Sequence, residues 1–205
     1  MVRLLVLVSI VCAVLAGTAG AASQAFVYDR ELGITARETL WHAVREEARM
    51  PRSEVRRVYV RCYLSKDSFE RAFERRFGVS ARRVIAYYAG GGDVHLRSQT
   101  CTNVHTFLQG RHTVLTAAAF SILIHESLHR QGIRNERIVT CFANEAVRWG
   151  ASWYGFEEER ALRARNLAFE FTKRYAPPSY LMGRPTCLAL ARQKSWPEFT
   201  TRASR

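Results

Sequence analysis

The chain has 205 residues, 48% of them apolar and 11% aromatic, enough for one domain with a real core, which excludes wholesale disorder. Its net charge is +13, but the basic residues are scattered in pairs such as Arg56-Arg57, Arg75-Arg76 and Arg82-Arg83. With no long basic tract and no nucleic-acid motif, no nucleic-acid partner is expected; the charge reads as a solubilising surface, and acidic cell-envelope components are the partner it would favour.

The chain begins with Arg3, an apolar run from Leu4 to Ala16, and small residues from Gly17 to Ala22. This layout predicts a secretory signal peptide over residues 1–21, with Ala19-Gly20-Ala21 before the cut. Cleavage after Ala22 or Ala25, or retention as an anchor, are the alternatives. Residues 22–205 then form a single domain, and no later segment is long and apolar enough to span a membrane.

Leu32, Ala36, Leu40, Val44 and Ala48 recur at spacing four and predict a helix over 31–49, ended by Pro51. The largely alternating set Val55, Val58, Val60, Cys62 and Leu64 predicts a strand over 55–64. Lys66 to Phe77 is a predicted helix with a stripe of Phe69, Phe73 and Phe77, read as core, and Gly78 stops it. Strands are predicted at 84–89 and 94–100 around the turn Gly90-Gly91-Gly92-Asp93, the second at a sheet edge. Residues 113–130 predict a buried helix without Pro or Gly, followed by Gly132. Asn135 caps a helix from Glu136 to about Tyr154, and another runs from Glu157 to Tyr175, stopped by Pro177-Pro178. The end from Pro197 onward reads as frayed.

Cys62, Cys101, Cys141 and Cys187 come after the predicted signal peptide. An even count in an exported chain favours two disulfides, and the absence of CxxC argues against a cysteine zinc knuckle. Of the three pairings, Cys101–Cys141 with Cys62–Cys187 is preferred.

The chemistry lies in His125-Glu126-Ser127-Leu128-His129. Two histidines four apart project from one helix face and can bind one zinc ion. Glu126, rotated by about 100° from His125, can act on a water at the metal as general base. On an apolar helix, two His and a Glu are costly unless used. For the third ligand, a reversal of the chain near Ile133 sets Glu136 beside His129, whereas Glu145 lies nearer Ser121 and faces the other way, at about 1.5 Å and 100° per residue. Glu136 is therefore preferred and Glu145 is the alternative. His95 and Tyr154 are candidates for stabilising an oxyanion. His42, His105 and His112 lack partner spacing.

Residues 124–129 resemble the active-site helix of the zincin metallopeptidases, and the strand–helix–strand–strand region before them is similar to the zincin N-terminal half. The resemblance spans residues 55 to 150. It implies an α+β fold, a small zincin-like domain, and zinc-dependent peptide hydrolysis at an edge strand, here Gly92 to Arg97, that pairs with an extended substrate. The metzincin continuation finds Gly132 but Asn135 at the ligand position; Asn144-Glu145 resembles the gluzincin ligand pair at a shorter gap. The competing expectation is a non-catalytic exported binding protein attached to an acidic envelope partner.

Overall fold

The computed structural model describes residues 25–48 and 55–193. The predicted signal peptide, the stop at Pro51 and the frayed end lie outside these residues. The fold is mixed α+β, with a four-stranded sheet against a helical layer.

Strand β1 (Phe26–Asp29) leads into α1 (Arg30–Ala48). Asp29 accepts the backbone N–H of Leu32 at 3.0 Å, capping the helix. Strand β2 (Tyr59–Tyr63) comes next, then α2 (Lys66–Phe77), which Ser65 and Ser68 cap reciprocally and Gly78 ends with φ 71°. Strands β3 (Ala86–Tyr88) and β4 (Asp93–Leu96) flank a turn in which Gly90, Gly91 and Gly92 all have positive φ.

The strand order is β1-β2-β4-β3, with β2 and β4 parallel and the other pairs antiparallel. This corrects the expectation that Gly92 to Arg97 forms the free edge. The crossover through α2 seats β4 between two neighbours, where Val94, His95 and Leu96 are buried, and β3 takes the edge. The strand expected to reach Thr100 ends at Leu96. Helix α3 (Ser98–Leu108) begins instead, a stretch of Thr, Asn and Val with weak intrinsic preference that packing makes helical.

Helix α4 (Val114–Arg130) is the centre of the domain. Thr113 and Thr116 form its capping box, and ten of its residues, from Thr116 to Leu128, are buried. It packs against α1, α3, β3 and β4, as well as α5 (Glu136–Trp153) and α6 (Glu158–Tyr175). Asn135 caps α5 by accepting from Arg137 and Ile138, as expected. Inside, Asn144 on α5 joins Ser121 of α4 at 2.7 Å and Thr172 of α6 at 3.1 Å. Gly150 lets α5 pack directly on Phe120 of α4: a Cβ there would lie 2.3 Å from Phe120 Cζ. Gly150→Ala is expected to lower stability by about 1–3 kcal/mol through overpacking, read as a lower denaturant midpoint with unchanged slope.

A 3₁₀ turn (Pro178–Tyr180) and α7 (Arg184–Gln193) carry the chain back over α5. The disulfides are Cys62–Cys101 and Cys141–Cys187, so two bridges exist but the expected pairing is wrong. Parallel pairing sets Cys62 opposite Leu96, which brings the first turns of α3, and Cys101 with them, to β2. Cys141 is then left to face α7.

His95 is buried among rings: it stacks on Tyr87 at 4.3 Å, and its Nδ1 lies 3.0 Å from the Tyr63 hydroxyl. Burial, then the nearby Arg61 charge, pushes its pKa from 6.5 to about 4. The folded value lies below the ordinary one, so the stabilisation is present above pH 6.5 and is lost as pH falls through 4. At 1.36 kcal/mol per unit this contributes about 3 kcal/mol. His95→Asn should flatten the pH dependence of urea unfolding across that window; an unchanged profile would remove His95 as the cause.

Candidate metal centre

Helical spacing places His125 and His129 on one face of α4, and the short connection through Gly132 and Ile133 returns the chain so that Glu136, in the first turn of α5, meets them. Among the described residues, His125, His129 and Glu136 form a group that could hold a metal ion. The two Nε2 atoms lie 3.1 Å apart; Glu136 Oε2 is 3.1 Å from His125 Nε2 and Oε1 is 3.4 Å from His129 Nε2. Ligands at about 2.0–2.1 Å on a tetrahedral zinc are separated by about 3.3 Å, so the spacing fits one small cation.

The donors are oriented for it. His129 Nδ1 lies 2.7 Å from the Ile133 carbonyl, an acceptor only, so Nδ1 carries the proton and Nε2 presents its lone pair. His125 Nδ1 has the Thr140 hydroxyl at 3.3 Å, compatible with the same tautomer. Glu136 Oε2 is buried and, apart from the facing His125 Nε2, has no donor near it, so a cation between the two would satisfy it.

Electrostatics agree. Burial works against ionised Glu136, but the close approach of the His125 and His129 rings outweighs that and pulls its carboxyl down to about 2. For His129, burial would lower the pKa, yet Glu136, the Ile133 carbonyl and Glu126 together raise it. Two carboxylates facing two imidazoles make a pocket that favours positive charge.

Glu126 lies beside this group. Burial pushes its carboxyl up; His125, His129 and the backbone N–H of Tyr88 on β3 oppose the shift. A cavity of about 610 Å³ opens here, lined by His125, Glu126, His129 and Glu136, by β3 and by Phe171 and Tyr175 of α6. Phe73 and Phe77 also line it. Of the predicted core stripe only Phe69 is fully buried, while Phe77 is 43% exposed; the other two rings form an aromatic wall.

The remaining candidates lie elsewhere. Glu145 is 3.4 Å from Arg165 of α6. His95 sits within the sheet, and Tyr154 bonds Thr35 of α1. His105 is 2.6 Å from Asp29. The residue that sequence reasoning missed is Tyr180, whose ring lies parallel to His125 at 6.0 Å and lines the same cavity as Glu136. No spacing rule connects position 180 to 125; the signal was indirect, in Pro177-Pro178, which end α6, and Cys187, which anchors the C-terminal segment to α5.

The arrangement can hold a divalent cation and keep a carboxylate next to it. Comparison with protein-family models, with curated proteins and with solved structures finds no match.

Proposed function

We propose that this protein is an exported zinc-dependent peptidase in which His125, His129 and Glu136 hold the metal and Glu126 is the general base. The observation that carries the reading is the convergence of two imidazoles and two carboxylates in one cavity, with the metal-facing nitrogen of His129 fixed by the Ile133 carbonyl. The resemblance of residues 124–129 to the zincin helix supports it.

The edge strand is what favours a peptide over other hydrolysable substrates. Arg97 N–H donates to the Ile85 carbonyl, so Ile85 and Tyr87 turn their backbone groups towards β4. Ala86 and Tyr88 turn theirs the other way, along the side of β3 that no strand covers. An extended peptide can add to this edge through main-chain hydrogen bonds. The aromatic wall beside it suits an apolar side chain.

Zinc, when bound, acidifies a water and polarises the scissile carbonyl. Glu126 takes a proton from the attacking water and returns it to the leaving amine, and its burial raises its affinity for that proton. Two disulfides are the mark of an oxidising, extracytoplasmic compartment, and no described helix is long and apolar enough to cross a membrane.

The test is hydrolysis of a quenched fluorescent peptide library by purified protein. Cleavage should disappear with a chelator and return with about one equivalent of zinc per chain. A protein that binds zinc and cleaves nothing in the library is instead a binding protein built on the same site.

A further inference from the structure

Thr140, Thr172 and Tyr180 line the metal-site cavity and also line a second cavity, of about 570 Å³, between α5, α6 and the returning C-terminal segment. The two spaces share this wall, and Tyr180 is its one large side chain. Asn144, Lys173, Met182 and Arg184 line only the second of the two.

The ring and the backbone of Tyr180 are held by different means. The ring lies parallel to that of His125, with 6.0 Å between centroids. The backbone lies in the turn after Pro177-Pro178, where Tyr180 N–H donates to the Pro177 carbonyl at 2.9 Å. Arg137 Nε–H donates to the Leu181 carbonyl at 2.9 Å, and Cys187 is bonded to Cys141. With the main chain fixed, the freedom left to Tyr180 is rotation of its side chain. The second cavity is the adjoining space, and it is several times larger than a phenol ring.

We propose that Tyr180 is a gate within one peptide groove: in the conformation described it closes the groove at the metal site, and a peptide long enough to cross the site displaces the ring into the second cavity. This rests on the peptidase reading and narrows the substrate to extended peptides that run through both cavities, with short peptides confined to the first. Tyr180 is then a specificity-determining residue.

The test measures binding rather than turnover. Zinc-loaded Glu126→Gln protein is titrated into two fluorescent peptides, one of about three residues and one of about ten, roughly 10 Å and 33 Å long when extended. Adding Tyr180→Ala should tighten the long peptide up to about tenfold, the scale set by one ring contact, and leave the short one within about twofold. Tyr180→Trp, a larger gate, should weaken the long peptide selectively, so the idea remains testable if the alanine variant folds poorly. Equal effects on both lengths in both variants would overturn the gate and leave the peptidase reading standing. If neither peptide binds any of these proteins, the peptidase reading fails and the gate fails with it.

Discussion

Glu126→Gln should retain about one zinc per chain and lose about 10²- to 10⁴-fold in kcat, the range that general acid–base catalysis contributes. Glutamine keeps the size of the side chain and can still meet the Tyr88 N–H, but it cannot accept a proton. Because Glu126 is enclosed beside His125, His129 and Glu136, the substitution also removes a carboxylate from an already crowded anionic site, so zinc binding weakens only modestly. The measurement is metal content beside steady-state kinetics on a single peptide identified from the library. A variant with full zinc and wild-type kcat would take the base role away from Glu126.

The second large effect concerns the ligands. Losing an outer-shell partner of a metal costs about 10- to 100-fold in affinity, so losing a direct ligand should cost more. His125→Ala with His129→Ala should abolish stoichiometric zinc, and Glu136→Gln should weaken it by about 100-fold or more. Glu145→Gln should leave zinc unchanged, because Glu145 faces Arg165; its cost is a partly enclosed ion pair. Since zinc stabilises only a folded site, the wild-type melting temperature should rise with added zinc and that of the double variant should not. Competition titration with a chromophoric chelator ranks the four proteins. Zinc loss on Glu145→Gln with retention on Glu136→Gln would reverse the ligand assignment.

Much of this centre is legible locally. The pair at 125 and 129 is a consequence of helix periodicity. Asn135 announces the start of α5, and the short reversal between the two helices is what sets Glu136 against His129 while turning Glu145 away. Apart from Glu145, these residues lie within about three helical turns of one another, where 3.6 residues per turn is a sufficient ruler.

What could not be read depends on distant choices. β3 and β4 have similar short alternating patterns; which one lies at the edge is decided by the parallel pairing of β2 with β4. The disulfide pairing inherits that decision, because it determines where α3 starts. Phe73 and Phe77 share the period of Phe69 and pack on Tyr87, yet they sit at the rim of that aromatic cluster and also line the cavity. Tyr180 is placed by a turn, an Arg137 hydrogen bond and a disulfide, each reaching across more than forty positions except the turn itself.

The most direct test of the central claim is zinc X-ray absorption on the purified, zinc-loaded protein, with stoichiometry from native mass spectrometry. The account predicts one zinc per chain in a nitrogen and oxygen shell at about 2.0–2.1 Å, with two imidazole signatures that vanish in the His125→Ala, His129→Ala protein. A sulfur shell at about 2.3 Å, or the same spectrum from that double variant, would contradict it.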